Sequence, residues 1–409
     1  MNAIGIDVSK NKSTVAVIRA YGETVKMPFD VAHTAKELAE LADFILSLEG
    51  ESRVVMEHTG KYSMPIAHVL SEAGIFVCMA NAKLIHDYGG DTIRRVKTDK
   101  ADALKIANYC LDKWAKLVQY APEDKLRMTL KVYSRQLSEY VKLTTALKNN
   151  LISLIDQVFP KINELFTSPA RESDGHEKWI DFVAHFWHCE CVSSLSLNAF
   201  MKRYEKWCCK NGYNFSTKKA EEIYSVAASH FSTLSKDDFT KTLIIQAVSQ
   251  LNSFCETVAS LKVEMNNIAS ELPEYEIVLA MHGVGKTLGP QLIAEIGDIR
   301  RYPKRSSLTR FAGIEPPENQ SGTYNQHSRR ISKQGSPHLR KTLFQVMCCV
   351  LQLGHCDQPT FTFLDRKRAE GKPYKVYMIA GANKFLRIYY ARVKELFDAL
   401  EQSFDSQVA

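Results

Sequence analysis

The 409-residue chain is predicted to fold as an α/β domain followed by a long helical arm and a mainly helical C-terminal domain. Three observations predict this order. Residues 1–79 alternate short β-branched segments with amphipathic helical ones. Residues 123–159 contain no glycine and carry apolar residues mainly three or four apart, and beyond Pro273 short helical segments surround an irregular basic stretch. The length itself calls for two or three domains, because one hydrophobic core usually stops growing near about 250–300 residues.

The first three strands are expected at 2–7 (NAIGID), 13–19 (STVAVIR) and 24–29 (TVKMPF), with turns at 9–12 and at Tyr21-Gly22. From 34 to 48, Leu38, Leu41, Phe44, Ile45 and Leu48 recur at helical spacing, and a fourth strand follows at 53–56. A helix over 63–72 leads through Gly74 into a fifth strand at 75–79. Three adjacent strands followed by alternating helix and strand make a sheet of ribonuclease-H-like order, in which strands one and four are neighbours. The run 123–159 predicts one long helix, stopped by Pro160, and 239–272 predicts a second that returns antiparallel to it as a coiled-coil arm. Residues 161–235 are helical in flavour but weakly patterned. Short helices at 274–281, 288–297 and 306–312 and closing helices at 337–353 and 374–404 complete the chain. The domains expected are therefore 1–120, 121–272 and 273–409.

The net charge of +7 is a weak signal by itself. Its distribution says more: ten Lys or Arg fall between residues 300 and 341 against two acids, Glu315 and Glu318, with Tyr302, Phe311 and Tyr324 among them. That pattern suits a phosphate-binding surface, and equally a solvated basic face. No apolar run approaches the roughly 18 residues a membrane helix needs, and Asp7 and Lys10 break any secretory apolar region, so a cytoplasmic location is expected. Ten cysteines without a signal peptide read as reduced thiols. The cluster His185, His188, Cys189, Cys191, Cys208 and Cys209 lacks a C-x2-C pair and reads as buried structural thiols ahead of a zinc site.

Asp7 ends the first expected strand, in GIDVSK, and Glu57 ends the fourth, in VVMEHTG. Asp99 and Asp102, in KTDKADALKIA, lie three apart at a helix start and face the same way. Four carboxylates converging on one point repel unless cations neutralise them. Their hard oxygens suit Mg2+, and two such ions stabilise the attacking and leaving oxygens of phosphodiester chemistry. Each acid also has a structural explanation, Asp99 as a helix cap, Asp102 as a complement to the helix dipole and a strand-end Asp as a turn residue.

Further along, HGVGKT at 282–287 looks like the end of a P-loop, but a Walker A motif needs glycine where Ala280 stands and a strand before it. A helix–hairpin–helix fits better, with Gly283 and Gly285 allowing backbone amides to approach a DNA phosphate and Lys286 adding charge.

The segments GIDVSK, MEHTGKY and RRVKTDKADA resemble the DEDD motifs of the IS-one-ten family of insertion-sequence transposases, related to the Piv DNA invertases. The resemblance implies a RuvC-like N-terminal domain over 1–120 and carries the family's four acidic positions onto Asp7, Glu57, Asp99 and Asp102. Downstream, GIEPPENQSGTYNQHSRRISKQGSPHLRKTL resembles the family's C-terminal transposase segment, in which a serine before glycine is the nucleophile. That position is Ser321 here, with Arg329, Arg330 and Lys333 near enough in sequence to supply charge at phosphorus. By itself Ser321-Gly322 is a turn. The chain departs from the family pattern at Thr323, where a second glycine is expected, and in a longer segment between the arm helices.

Taken together, the resemblance implies a DNA recombinase that cuts and rejoins strands through a covalent phosphoserine. It also implies an active site shared between protomers of a dimer or tetramer, and an element-encoded bridge RNA as guide. Base pairing by such an RNA would account for the lack of an obvious base-reading helix-turn-helix. Two other readings remain open on the residues: a junction-resolving nuclease using metal-activated water, and a nucleic-acid-binding scaffold without catalysis.

Overall fold

A computed structural model describes residues 1–58, 60–88, 98–122, 124–317, 320–321, 324–325 and 330–408, which form two compact units, 1–123 and 124–409. In the first, strands β1 (Asn2–Val8), β2 (Lys12–Ile18), β3 (Thr24–Ala32), β4 (Ser52–Glu57) and β5 (Phe76–Ala80) pair in the order β3-β2-β1-β4-β5. The first three are antiparallel, and β1-β4 and β4-β5 are parallel. Helices α1 (Ala35–Leu46), α2 (Met64–Glu72), α3 (Ala82–Asp87) and α4 (Asp99–Asp112) follow or separate them. The neighbouring of the first and fourth strands is as the sequence predicts.

Strand β1 is buried on both faces, and its alternation sorts the core. Ile4, Ile6 and Val8 join Leu38, Leu41, Ile45, Ile66 and Leu70 beneath α1 and α2. The opposite face carries Ala3, Ala16 and Val55 against Ala103, Ile106, Ala107 and Cys110 of α4. Small residues on that second face let α4 approach closely.

The second unit contains two separate cores. Helices α5 (Lys125–Val158) and α10 (Asp238–Ser270) run antiparallel: Tyr140 packs on Phe254 with ring centroids 5.6 Å apart, and Gln157 O accepts from Thr233 N at 2.9 Å. Between them lie α6 (Lys178–His185), α7 (Glu190–Ser193), α8 (Leu197–Lys210) and α9 (Thr217–Ser229). These four helices occupy the stretch that is helical in flavour but weakly patterned in the sequence. Phe159, Phe182, Phe186, Phe200 and Tyr204 fill their core, so aromatic bulk does here what regular apolar spacing does elsewhere. His188 is fully buried there; its Nδ1 accepts from Glu190 N at 3.1 Å and its Nε2 donates to Leu234 O at 3.1 Å. Cys189 and Cys208 are buried and Cys209 is exposed.

The remaining core joins the base of the arm to α11 (Tyr275–Leu279), α12 (Leu288–Ile296), α13 (Arg305–Ala312), α14 (Pro337–Leu353), α15 (Pro359–Ala369) and α16 (Tyr374–Val408). The two-residue strands β6 (Gln320–Ser321) and β7 (Tyr324–Asn325) lie in the chain between α13 and α14. The sequence did not suggest α15. Two buried carboxylates tie this core together. Glu274 takes both Nη atoms of Arg127 on α5, one of them at 2.9 Å, and Glu295 accepts from Ser336 Oγ at 3.1 Å. Ser336 also caps α14, its Oγ accepting from Leu339 N at 3.1 Å.

Candidate active site and nucleic-acid-facing loops

Register places Asp7 opposite Thr14 on β2, and one step beyond the last β1-β4 pair, Ile6 with Met56, it places Asp7 beside Glu57. Both acids belong to the face covered by α4, since Gly5 and Val55 precede them by two residues on that face. Helix α4 runs antiparallel to β1 and β4. At one end Cys110 Sγ donates to Arg53 O at 3.4 Å. In the middle Gly5 lies under Ala103 and Ala107, and a Cβ on Gly5 would sit 2.2 Å from Ala103 O and from Ala107 N. The N-terminal turn of α4, with Asp99 and Asp102, thus comes to the end of the sheet where Asp7 and Glu57 stand. Thr98 caps that turn, accepting from Ala101 N at 3.2 Å.

Electrostatics agree with this placement. The Glu57 carboxyl is raised above its ordinary range, first by burial and then by the charge of Asp102, with Lys105 and His86 opposing. Like charge facing like charge is relieved by a cation. The donors are hard carboxylate oxygens, which suit a divalent ion of the magnesium kind. Among the described residues no three His, Cys, Asp or Glu side chains are close enough together to hold one metal ion. What is gathered is therefore one row and one helix turn of acids at one end of one face.

The same row contains a fifth carboxylate that sequence reasoning missed. Asp30 pairs in register with Thr14, accepts from its Oγ1 at 2.8 Å and forms an ion pair with Lys12 at 2.7 Å. Its carboxyl is lowered, chiefly by the Lys12 hydrogen bond. The β2-β3 hairpin register carried the signal, because a strand that pairs Lys12 with Ala32 must bring Asp30 to Thr14.

The Gly5 contact yields a test. Gly5→Ala should push β1 and α4 apart and destabilise the fold by about 1–3 kcal/mol, read as a lower midpoint in thermal circular dichroism. A wild-type midpoint would contradict the close approach.

The other sequence-predicted residues lie in the second unit. The turn between α11 and α12 is clamped on two sides: Gly283 is buried with φ +80°, and a Cβ there would sit 2.4 Å from Val350 Cγ2 on α14. On α10, Asn266 Nδ2 donates to Lys286 O at 2.7 Å. Gly283 therefore serves helix packing, while Gly285 and Lys286 are exposed, with open space where a Gly285 side chain would be.

Ser321 ends β6 and pairs in antiparallel register with Tyr324 of β7. The segment around it is closed at its base by Ser332 N donating to Glu315 O and Lys333 N donating to Gly313 O, each at 3.0 Å. Arg330 and Lys333 are exposed, and Lys333 takes a left-handed φ of +55°. Arg329 lies outside the described residues. The clamp depends on Gly335, where a Cβ would sit 2.2 Å from Phe311 O. Gly335→Ala should accordingly speed limited proteolysis within 316–331 several-fold at unchanged protease. Wild-type cleavage would count against the clamp.

No helix among the described residues is long and apolar enough to cross a membrane.

Comparison with known proteins places the chain in a family. A transposase model named for DEDD and IS110 matches residues 4–160, and the model described as "Transposase IS116/IS110/IS902 family" matches residues 275–360. The insertion element IS110 43.6 kDa protein of Streptomyces coelicolor is 24% identical over 148 residues, 36% of this chain and 35% of that protein. The pilin gene-inverting protein of Moraxella bovis is 28% identical over 150 residues, 36% of this chain and 44% of its own length. The chain thus spans less than half of these two relatives. The insertion element IS116 44.8 kDa protein of Streptomyces clavuligerus is 20% identical over 395 residues, covering 96% of this chain and 94% of that protein. The two models match the parts of the chain that hold the acidic row and the Ser321 segment, and the chain belongs to the IS116/IS110/IS902 family of transposases.

Proposed function

We propose that the chain is a DNA transposase that cuts and rejoins strands through a covalent phosphoserine at Ser321, with Asp7, Glu57, Asp99 and Asp102 as the second half of the active centre. The observation that supports this reading is that the elements bearing those four acids come to the same end of one sheet face, with the charge of Asp102 acting on Glu57. The sheet order supports a ribonuclease-H-like, RuvC-like assignment of the first domain, with 121–272 as the arm and 273–409 as the nucleophile-bearing domain. The family's DEDD character points to a divalent metal. Two Mg2+ ions bound to the four acids would neutralise charge on the reacting phosphate.

This chain's own residues then have separable tasks. Ser321 Oγ forms the bond to phosphorus as one ester P–O bond breaks, and the departing oxygen takes up a proton. The phosphoserine conserves the ester's free energy, so rejoining needs no added energy source. Arg330, Lys333 and Arg329 offset charge on the non-bridging oxygens, while Gly285 and Lys286, with Gly283 holding their turn, engage the DNA backbone. DNA ends and target, an element-encoded guide RNA and further copies of the chain are the partners, in the cytoplasm.

The test is whether purified protein, given Mg2+, element-end DNA and RNA from the element's non-coding flank, becomes covalently attached to a labelled strand. An adduct in wild type that is lost in Ser321→Ala and in Asp7→Asn supports the composite site. Cleavage with no adduct leaves a metal-dependent nuclease.

A further inference from the structure

Arg305 on α13, Arg366 on α15 and Lys384 and Arg387 on α16 line one cavity of about 530 Å3, with Phe363 and Asn383 in the same wall. A second cavity of about 520 Å3 shares Arg305 and Arg387 and continues along α16 past Lys394. The two make one groove. Asn383, Lys384, Arg387 and Lys394 share a face of α16, and the span from Asn383 to Lys394 is about 16 Å at about 1.5 Å per residue, the reach of two or three nucleotides. Gly381 marks the close approach of the wall's two helices: a Cβ there would sit 2.4 Å from Leu364 Cδ2 on α15, the helix that also carries Phe363 and Arg366.

The charge is largely uncompensated. Among the described residues Arg305, Lys384 and Arg387 make no ion pair, Arg366 has only Glu370 at 3.9 Å, and the groove's own acid, Glu315, is taken up by Arg310 at 2.9 Å. Acids return at the far end, where Glu395 and Asp398 flank Lys394. Four cations gathered in a concavity with one aromatic ring ask for a polyanion that carries planar groups. Arg366 stands over the Phe363 ring at 5.3 Å, extending the platform. A duplex presents a convex surface with its bases stacked inside, whereas an unpaired nucleotide can enter a cavity of this size.

We propose that this groove binds an unpaired nucleic-acid strand, with its phosphodiesters at Arg305, Arg366, Lys384 and Arg387 and a base against Phe363. The proposal rests on the reading above only in taking nucleic acid as the ligand. A displaced DNA strand and an RNA offer the same chemistry, and the probes separate them.

The experiment is fluorescence anisotropy of the full chain with labelled dT10, rU10 and a ten-base-pair duplex across a salt series. Arg305→Gln/Arg366→Gln/Arg387→Gln should lose at least about tenfold in single-strand affinity, and its log–log salt slope should flatten by about 2, for three phosphate contacts. Duplex affinity should fall by less than about threefold. Phe363→Leu should cost about fivefold or more on the single strand. The charge-matched Lys202→Gln/Lys206→Gln/Lys210→Gln on α8 should bind as wild type does. Tighter rU10 than dT10 assigns the groove to RNA, and the reverse to DNA. Unchanged single-strand binding in the groove triple, an equal loss on the duplex, or an equal loss in the α8 triple overturns the proposal. These readouts need no strand chemistry. Absence of any Ser321 adduct would sink the transposase mechanism and leave them untouched.

Discussion

Alanine at Ser321 should remove the covalent protein–DNA link completely and lower strand transfer by about 10^3-fold or more, with DNA binding unchanged. The physical reason is that the proposed ester forms on Ser321 Oγ, which alanine lacks. Asp7→Asn should cost a similar factor, because an amide oxygen is a far weaker ligand and charge partner than a carboxylate. If Ser321 and the acidic row act as one centre, the double variant should be scarcely worse than either single one, since groups that work as a unit are strongly non-additive. Rates from labelled element ends under single-turnover conditions decide the matter. Independent, multiplying losses would separate the serine from the acids, and wild-type cleavage by Ser321→Ala would make water the nucleophile.

Glu274→Ala should destabilise the second unit by about 3–5 kcal/mol, on the order of 10 °C in melting temperature for a body of this size. Arg127 and Glu274 are nearly fully buried, at 5% and 1% side-chain exposure, so removing the acid strands a guanidinium out of water. Burial is the largest influence and opposes the Arg127 charge, but the Glu274 hydrogen bond together with the charges of Glu274 and Asp298 more than offsets it, so the guanidinium stays charged. Replacing the pair together, as Arg127→Met with Glu274→Leu, should restore most of the loss, because two apolar chains need no solvation. Urea melts of the three variants measure this. A single-variant loss below about 1 kcal/mol would show that water reaches the guanidinium.

Much of the fold was legible because local periodicity and pairing order carry it. The five strands are short β-branched runs bounded by turns, and a hairpin meander followed by crossover helices allows few sheet orders, so Asp7 and Glu57 could be set side by side from the chain alone. The long helices α5 and α10 were legible for the same reason, from apolar residues three and four apart over more than thirty positions. Residues 161–235 were not, because their core is made by Phe182 and Phe186 of the α6 end meeting Phe200 and Tyr204 of α8, an aromatic cluster assembled between segments and not a repeat along one. Among the site residues, Gly283 and Gly285 looked alike in sequence, and contact with Val350 separates them.

What the chain's order alone settles is where the candidate groups stand, the acids at strand and helix ends and Ser321 in a basic segment, because those are properties of neighbours along the chain. Tertiary structure alone decided that α4 lies close enough over Gly5 to bring Asp99 and Asp102 to the acids of the sheet, and that Asp30 joins their row. It alone assembled the groove of Arg305, Arg366, Lys384 and Arg387 from three helices. Each of these depends on where one helix or strand rests against another, and that is set by the fit of buried surfaces between segments far apart in the chain, which no local pattern records.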